Sequence, residues 1–401
     1  MPDAPIRTIT LGLGDRHPLP VTAIQRAARF LQQAQKRFTD AGYEVQTIRL
    51  STRPVLDNLA AWSTHQVLQY VSELQDMLNE VAIEHCSLGP AQVYRPDFPV
   101  ERLDTIADML IAAPSANATV QLAGVYQQQA LLRQEAALAS ARVIQRLSRE
   151  TTEGFGNFRF AVLAHVTAGG PFFPAGYHEG EISTFALGLQ GASLVTNVIA
   201  AHQSTTSSPL DLTSVTQWIY EELMQRKAGY EEIAQNLAQE HQIAFKGIDY
   251  SPAPLGEDSV ITAIEQCGYG LFGSSGTLAV VAAFTSALKR LTPLTPGYNG
   301  IMLPVLEDAV LGRRWAQGYV DIQRLLLYSS VCGTGLDTIP LPGDMPVEMI
   351  ARILLDVATL AQRLSKPLSA RLFPVPGKGS GESTTFTSPY LTNTSIMRFD
   401  E

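Results

Sequence analysis

FRFAVLAHVTAGGPFFPAGYHEGE, residues 158–181, decides how this chain folds. Its first nine residues, 158–166, are mostly aromatic, aliphatic and small apolar types, the composition of a buried strand. A glycine- and proline-rich segment follows, where the chain must turn, and it carries His178, Glu179 and Glu181. A buried strand that ends in a polar loop is the unit of an α/β protein, in which ligands bind beyond the strands' carboxyl ends.

The same unit recurs along the chain. Apolar runs at 6–13, 44–50, 86–93, 117–122, 243–248, 300–304, 324–331 and 369–373 read as strands, with 184–189 as a strand or a helix start. Between them, 21–41, 66–83, 100–112, 130–149, 212–241, 276–291, 307–316 and 346–364 have helical spacing. Near-continuous apolar strands alternating with helices predict parallel pairing under a cover of helices. Nine or ten strands exceed an eight-stranded barrel and approach the limit of an open sheet. No composition shift divides the chain, which reads as one α/β domain over 1–401. Its tail, 377–401, is rich in Gly, Ser and Thr.

Bulk composition narrows the function. The 401 residues are 45% hydrophobic, with 38 acids, 29 bases and a net charge of -9. No basic block offers a footprint for nucleic acid, and no apolar run is long enough for a membrane span. Three scattered cysteines, with no CxxC or Cys/His cluster, fit a reducing cytoplasm and argue against a disulfide framework or a structural zinc.

If all strands were parallel, the polar loops after them would share one end of the fold. That places His178, Glu179, Asp249, Asp337 and Cys332 as catalytic candidates for acid–base work. Glu307 and Asp308 are candidate ligands of a divalent cation, Mg or Ca. Ser275 and Gly276, at a helix start, and Gly377, Lys378 and Gly379, in GKGSGES, are candidates for holding an anion. Each has a plainer reading. Asp249 and Asp337 could cap turns, and Glu307 and Asp308 could favour a helix N-terminus. GKGSGES could be a loose tail, and Cys332, between Ser330 and two glycines, could be a small residue packed at a tight corner. On the catalytic reading, His178→Ala and Asp249→Asn weaken ligand binding and spare stability.

Seven stretches in order resemble one family: IRTITLGL, RFAVLAHVTAGGPFFPAGYHEGE, GIDYSPAP, FGSSGTLAVVAAFTSALK, NGIMLPVLEDAVL, SVCGTGLDTIPLPGD and RLFPVPGKGSGE. They are similar to the uncharacterised domain of unknown function 711, often labelled "PFL family protein". The resemblance implies a ten-stranded α/β barrel of two half-barrels, as in pyruvate formate-lyase and other glycyl radical enzymes. It does not imply their chemistry, because the C-terminal RVxGY glycine motif is absent and Cys332 is followed by Gly333 rather than a second cysteine. Neighbouring ACT-domain proteins in this family imply a possible regulatory partner, and a homo-oligomer is a further expectation. The function expected is a non-radical enzyme acting on a small polar or anionic metabolite by acid–base or metal-assisted chemistry. The alternative is a non-catalytic metabolite-binding protein that works with an ACT-domain partner.

Overall fold

The computed structural model describes residues 4–203, 208–291 and 295–397. All its strands join one sheet. They are β1 (Ile6–Gly12), β2 (Ile48–Ser51), β3 (Cys86–Ala91), β4 (Ala116–Tyr126), β5 (Gln129–Leu132), β6 (Phe160–Ala164), β7 (Thr184–Leu189), β8 (Ala244–Asp249), β9 (Gly335–Pro342) and β10 (Leu368–Val375). The order is β8-β7-β1-β2-β3-β4-β6-β10-β9, with β5 paired to β4 in a hairpin.

Direction matters more than order here. β1, β2, β3, β4 and β6 run parallel to one another. The β7–β8 pair and the β10–β9 pair each run against that central group. The expectation of uniformly parallel strands is therefore corrected to a mixed sheet, and the carboxyl ends of the two groups lie at opposite ends of the molecule.

The sheet is not closed by a ladder between its edge strands β8 and β9. The chain from Pro296 to Asp308 lies between them instead. It is tied to Asp249 at one end and makes single bridges at Pro304 with Asp337 and at Asp308 with Gly256. The strand expected at 300–304 is thus an irregular segment. Apolar residues at 324–331 form the helix Ile322–Ser329, because Asp321 caps Arg324 N at 2.7 Å and Ile322, Leu325 and Tyr328 fall on one face. The strand begins later, at Gly335, so Cys332 precedes it rather than follows one.

Strand residues alternate by face with period two. Phe160, Val162 and Ala164 of β6 join the main core beneath the helices, while Ala161 and Leu163 face the other way. On β10, Leu368, Ala370 and Leu372 face the core, and Ser369 and Arg371 do not. On β4, Ala116, Ala118 and Val120 alternate with Asn117, Thr119 and Gln121. The strands are therefore apolar toward the helices, and β4 and β10 are largely polar toward the inside while β6 is apolar there.

Covering helices begin and end on local signals. Val21–Asp40 has Ala23, Ile24, Ala27, Leu31, Ala34 and Phe38 buried at three- and four-residue steps, and stops before Gly42 with φ 93°. Thr64–Glu80 starts on a capping box between Ser63 and Gln66. No helix among the described residues is long and apolar enough to cross a membrane.

Residues 165–183 fold into the polar interior. Gly169 N meets Tyr177 O at 2.8 Å, closing the stems, and Thr10 Oγ1 donates to Pro171 O at 2.8 Å. Val166, Ala175 and Tyr177 pack on Ala161, Leu163 and Tyr298. The described part of the C-terminal tail packs on the body of the protein, contrary to a loose reading. Phe386, Leu391 and Ile396 bury against Leu306, Phe373 and Val375, and Trp315 Nε1 donates to Ser395 O at 2.9 Å.

Candidate functional site

A cavity of about 580 Å³ opens where the central strands begin. Its walls come from the starts of β1 and β2 (Arg7, Arg49), from His85 and Asn117, from the tip of the central loop (Phe172, Phe173, Pro174), and from Tyr298, Glu307, Asp337 and Arg371. The space is of the size that holds a small metabolite.

Its deepest charges form a buried triad. Arg371 donates from Nε to Asp337 and from a terminal nitrogen to Glu307. All three side chains are at most 15% exposed. A bulge creates this meeting. Ala370 pairs with Leu336 and Leu372 with Ile339, so Asp337 and Thr338 together oppose Arg371. Thr338 has φ 43°, a left-handed conformation that costs a β-branched residue about 1–3 kcal/mol. Its hydroxyl accepts from Leu306 N at 3.3 Å, which fixes the neighbouring Glu307. Burial pushes the Glu307 carboxyl up, opposed by the Arg371 charge and reinforced by Asp337.

Nearer the mouth stand Arg7, Arg49 and His85. A second bulge, between Ile6 and Thr8 in the β1–β7 ladder, re-aims Arg7 into the cavity. Arg7 donates to Gln46 Oε1 at 3.0 Å. Arg49 Nε donates to Thr47 Oγ1 at 3.1 Å, and its guanidinium lies 5.3 Å from the Phe173 ring centre. Burial, then the charges of Arg49 and Arg7, lower His85 to about 4, so it is neutral at pH 7.

The candidates named from sequence separate into several places. Asp249 lies opposite Gly188, which in turn lies opposite Thr8 of β1. His178 packs against Gly12, where no Cβ would fit, and its backbone N–H donates to Thr52 O at 3.0 Å. Four strand residues, about 13 Å, separate those two levels of β1. The structure therefore does not bring His178 and Asp249 to one mouth, because their loops follow strands of opposite direction. Glu179, which accepts from Gln92 Nε2 at 2.9 Å, is at the His178 end. Burial lowers the His178 imidazole, whose Nε2 has no hydrogen-bond partner.

Asp249 acts as a knot. Its carboxylate accepts from Ser251 N (2.9 Å), Ser251 Oγ (2.6 Å), Tyr298 N (2.8 Å) and Asn299 N (3.1 Å). Gly297, with φ 83°, passes so close that a Cβ would overlap the carboxylate. This is the turn-capping reading, and Asp249 is absent from the cavity wall.

Glu307 and Asp308 do not share a cation geometry. Glu307 faces Arg371, whose guanidinium stands between it and Asp337. Asp308 points the other way, accepting from Leu311 N at 2.9 Å and Ser259 Oγ at 2.8 Å as the cap of the helix Ala309–Ala316. Among the described residues, no cluster of three His, Cys, Asp or Glu side chains has metal-binding geometry.

Burial raises the Asp308 carboxyl to about 7. A folded pKa above the unfolded value means that the native state holds the proton more tightly. Stability from this group is present below the unfolded pKa, about 3.9, and is lost as pH rises toward 7. Asp308→Asn, which keeps the cap, is expected to flatten the stability–pH slope between about 4 and 7. Chemical denaturation at a series of pH values checks this, and an unchanged slope contradicts it.

Neither proposed glycine cradle opens on the cavity. Gly379 N already donates to Glu382, and Lys378 holds the turn through its backbone, with Gly343 N bound to Lys378 O at 2.9 Å. Gly377, at φ 69°, makes that turn. The helix Thr277–Lys289 starts after Gly276 without a side-chain cap, and Ser275 is not a cavity residue.

Cys332 is fully buried, and burial raises its thiol. Gly333 and Gly300 cross backbone to backbone beside it, and Lys366 binds the carbonyls of Ser329, Ser330 and Cys332 at the end of the preceding helix. The packing reading explains all of this. Native protein is expected to resist iodoacetamide at Cys332, with alkylation only after unfolding, read by peptide mass spectrometry. Rapid stoichiometric labelling of the native protein contradicts it.

The residues missed from the sequence are Arg7, Arg49 and Arg371. Their signal was a charged side chain inside strands otherwise without charge, IRTITLG, IRLS and LSARLFPV, where burial is costly without a purpose.

Fold and cavity together define an α/β protein built around a charged internal pocket. The chain belongs to the family described as Uncharacterised ACR (DUF711), which matches residues 2–389. It is similar to UPF0210 proteins of three organisms. With that of Pyrobaculum arsenaticum it is 30% identical over 256 residues, 62% of this chain and 55% of the relative. With that of Pyrobaculum aerophilum it is 30% identical over 366 residues, 85% of this chain and 76% of the relative. With that of Neisseria meningitidis serogroup C (strain ATCC 700532 / DSM 15464 / FAM18) it is 25% identical over 405 residues, 95% of this chain and 87% of the relative.

Proposed function

We propose that this protein is a cytoplasmic, non-radical enzyme that binds a small polar or anionic metabolite in the central cavity and moves a proton on it. The buried Arg371–Glu307–Asp337 triad facing that cavity is the observation that carries this reading. A buried, mutually perturbing charge cluster at strained backbone is costly to keep and typical of functional sites. Glu307 is the candidate proton-transfer group, since burial favours its protonated form and Arg371 favours its ionised form. Acid–base chemistry is preferred over metal assistance because Arg371 engages both carboxylates.

Likeness to the glycyl radical fold is supported by the two opposed strand groups and by a central loop that fills the interior. That loop's tip is Phe172, Phe173 and Pro174 and holds no cysteine, which favours a non-radical reaction. Three buried free cysteines suit a reducing compartment.

Incubating the purified protein with a panel of small metabolites and following each by NMR tests the enzyme. Turnover that disappears in Glu307→Gln while binding persists is the expected result. Binding without turnover of any bound compound contradicts catalysis and leaves a metabolite-binding protein.

A further inference from the structure

We propose that Arg7 and Arg49 form an oxyanion subsite of the cavity, which takes a carboxylate or phosphate group of the ligand. This rests on the reading of the cavity as a ligand site and goes further by naming the charge its ligand carries.

Among the described residues, the structure gives neither arginine a carboxylate within ion-pair distance. Arg7 meets only the amide oxygens of Gln46 (3.0 Å) and Gln190 (3.5 Å). Arg49 meets only a hydroxyl, Thr47 Oγ1, and the Phe173 ring. Both are half-buried and line the same cavity. Most other arginines of the chain either pair with an acid, as Arg314 does with Glu265 (2.6 Å), or cap carbonyls, as Arg159 does at Ala113, Ala116 and Leu110.

Away from its exposed rim, the wall is net positive. Arg7, Arg49 and Arg371 face only Glu307 and Asp337 in the interior, while Glu44 and Glu84 are exposed at the rim. Burial, followed by the charge of Arg7, pushes the Arg49 guanidinium down to about 9. That is the state of a partly desolvated cation short of a counter-charge, and a bound anion would reverse it. Geometry suits the role. Thr47 holds Arg49 Nε and leaves its two terminal nitrogens for a fork-like contact with an oxyanion. Phe173 stands against the guanidinium and restricts its orientation. The bulge at Arg7 aims a second donor set into the same space.

The full chain's melting temperature is measured against rising sodium malonate and, separately, sodium phosphate, with sodium chloride at equal ionic strength as the reference. A saturable rise with malonate or phosphate beyond that of chloride is expected. Apparent affinity should fall about tenfold or more in Arg49→Gln and in Arg7→Gln, the loss of one charge-assisted hydrogen bond. Arg49→Lys should retain part of it. Malonate acting alone assigns a carboxylate, and phosphate acting alone assigns a phosphate group. The subsite is overturned if neither anion exceeds chloride, or if both glutamine variants keep wild-type affinity. Protection by an uncharged or cationic metabolite, with no effect of either anion, overturns the subsite and leaves the cavity reading standing. Loss of malonate affinity in Arg371→Lys alone moves the anion onto Arg371 and overturns the assignment to Arg7 and Arg49.

Discussion

Asp249→Asn is expected to lower the unfolding free energy by about 3–5 kcal/mol, from the loss of acceptors for buried donors. The carboxylate takes four hydrogen bonds, three from backbone N–H groups and one from a hydroxyl. An amide must turn an NH2 toward at least one N–H, leaving both donors unpaired in the core. The loss reaches beyond one turn, because Tyr298 and Asn299 start the segment that spans the gap between β8 and β9. Reading Asp249 as a catalytic base from sequence predicts the opposite, an intact melting temperature with weakened binding. Chemical denaturation of the variant separates the two, and a change under about 1 kcal/mol contradicts the knot.

Arg371→Met is the second large effect. Removing the arginine leaves Glu307 and Asp337 facing each other in a recess with no interior cation in contact. Breaking a buried pair in this way costs about 3–5 kcal/mol. Neutralising the partners as well, in Arg371→Met/Glu307→Gln/Asp337→Asn, is expected to restore most of the stability while leaving the cavity unable to bind its ligand. Stability recovered without binding identifies a functional charge cluster. If the triple variant remains as unstable as the single one, packing of the arginine stem rather than charge carries the loss.

The sequence made the α/β alternation plain, because helix and strand spacings are local. Polar-inward alternation was also legible in principle, in Asn117, Thr119 and Gln121 or in Ser369 and Arg371, yet short apolar stretches such as 324–331 obscured it. That run is helical because Asp321 caps it, and the following Gly335 strand was hidden among turn-forming residues. Strand direction was not legible at all. It depends on which edge each strand joins, so His178, which follows β6, and Asp249, the last residue of β8, end at opposite ends of the sheet. Asp337, expected as a catalytic group, and Glu307, expected as a cation ligand, both line the cavity, but in company that the sequence did not suggest. Their partner Arg371 lies 34 residues from Asp337 and 64 from Glu307, and only the bulge joins them. The Asp308 and Cys332 alternatives, a helix cap and a packed corner, were the ones the local chain already favoured.

The most direct test of the cavity as the functional site is metabolite retention from a cell extract, read by mass spectrometry on three proteins: wild type, Arg371→Lys and His178→Ala. Lysine keeps one positive charge between the two carboxylates but cannot bridge them as the guanidinium does. His178 is at the far end of the sheet. A compound retained by wild type and His178→Ala and lost from Arg371→Lys is the predicted result. Retention by Arg371→Lys with loss from His178→Ala would contradict it and place the site at the other end.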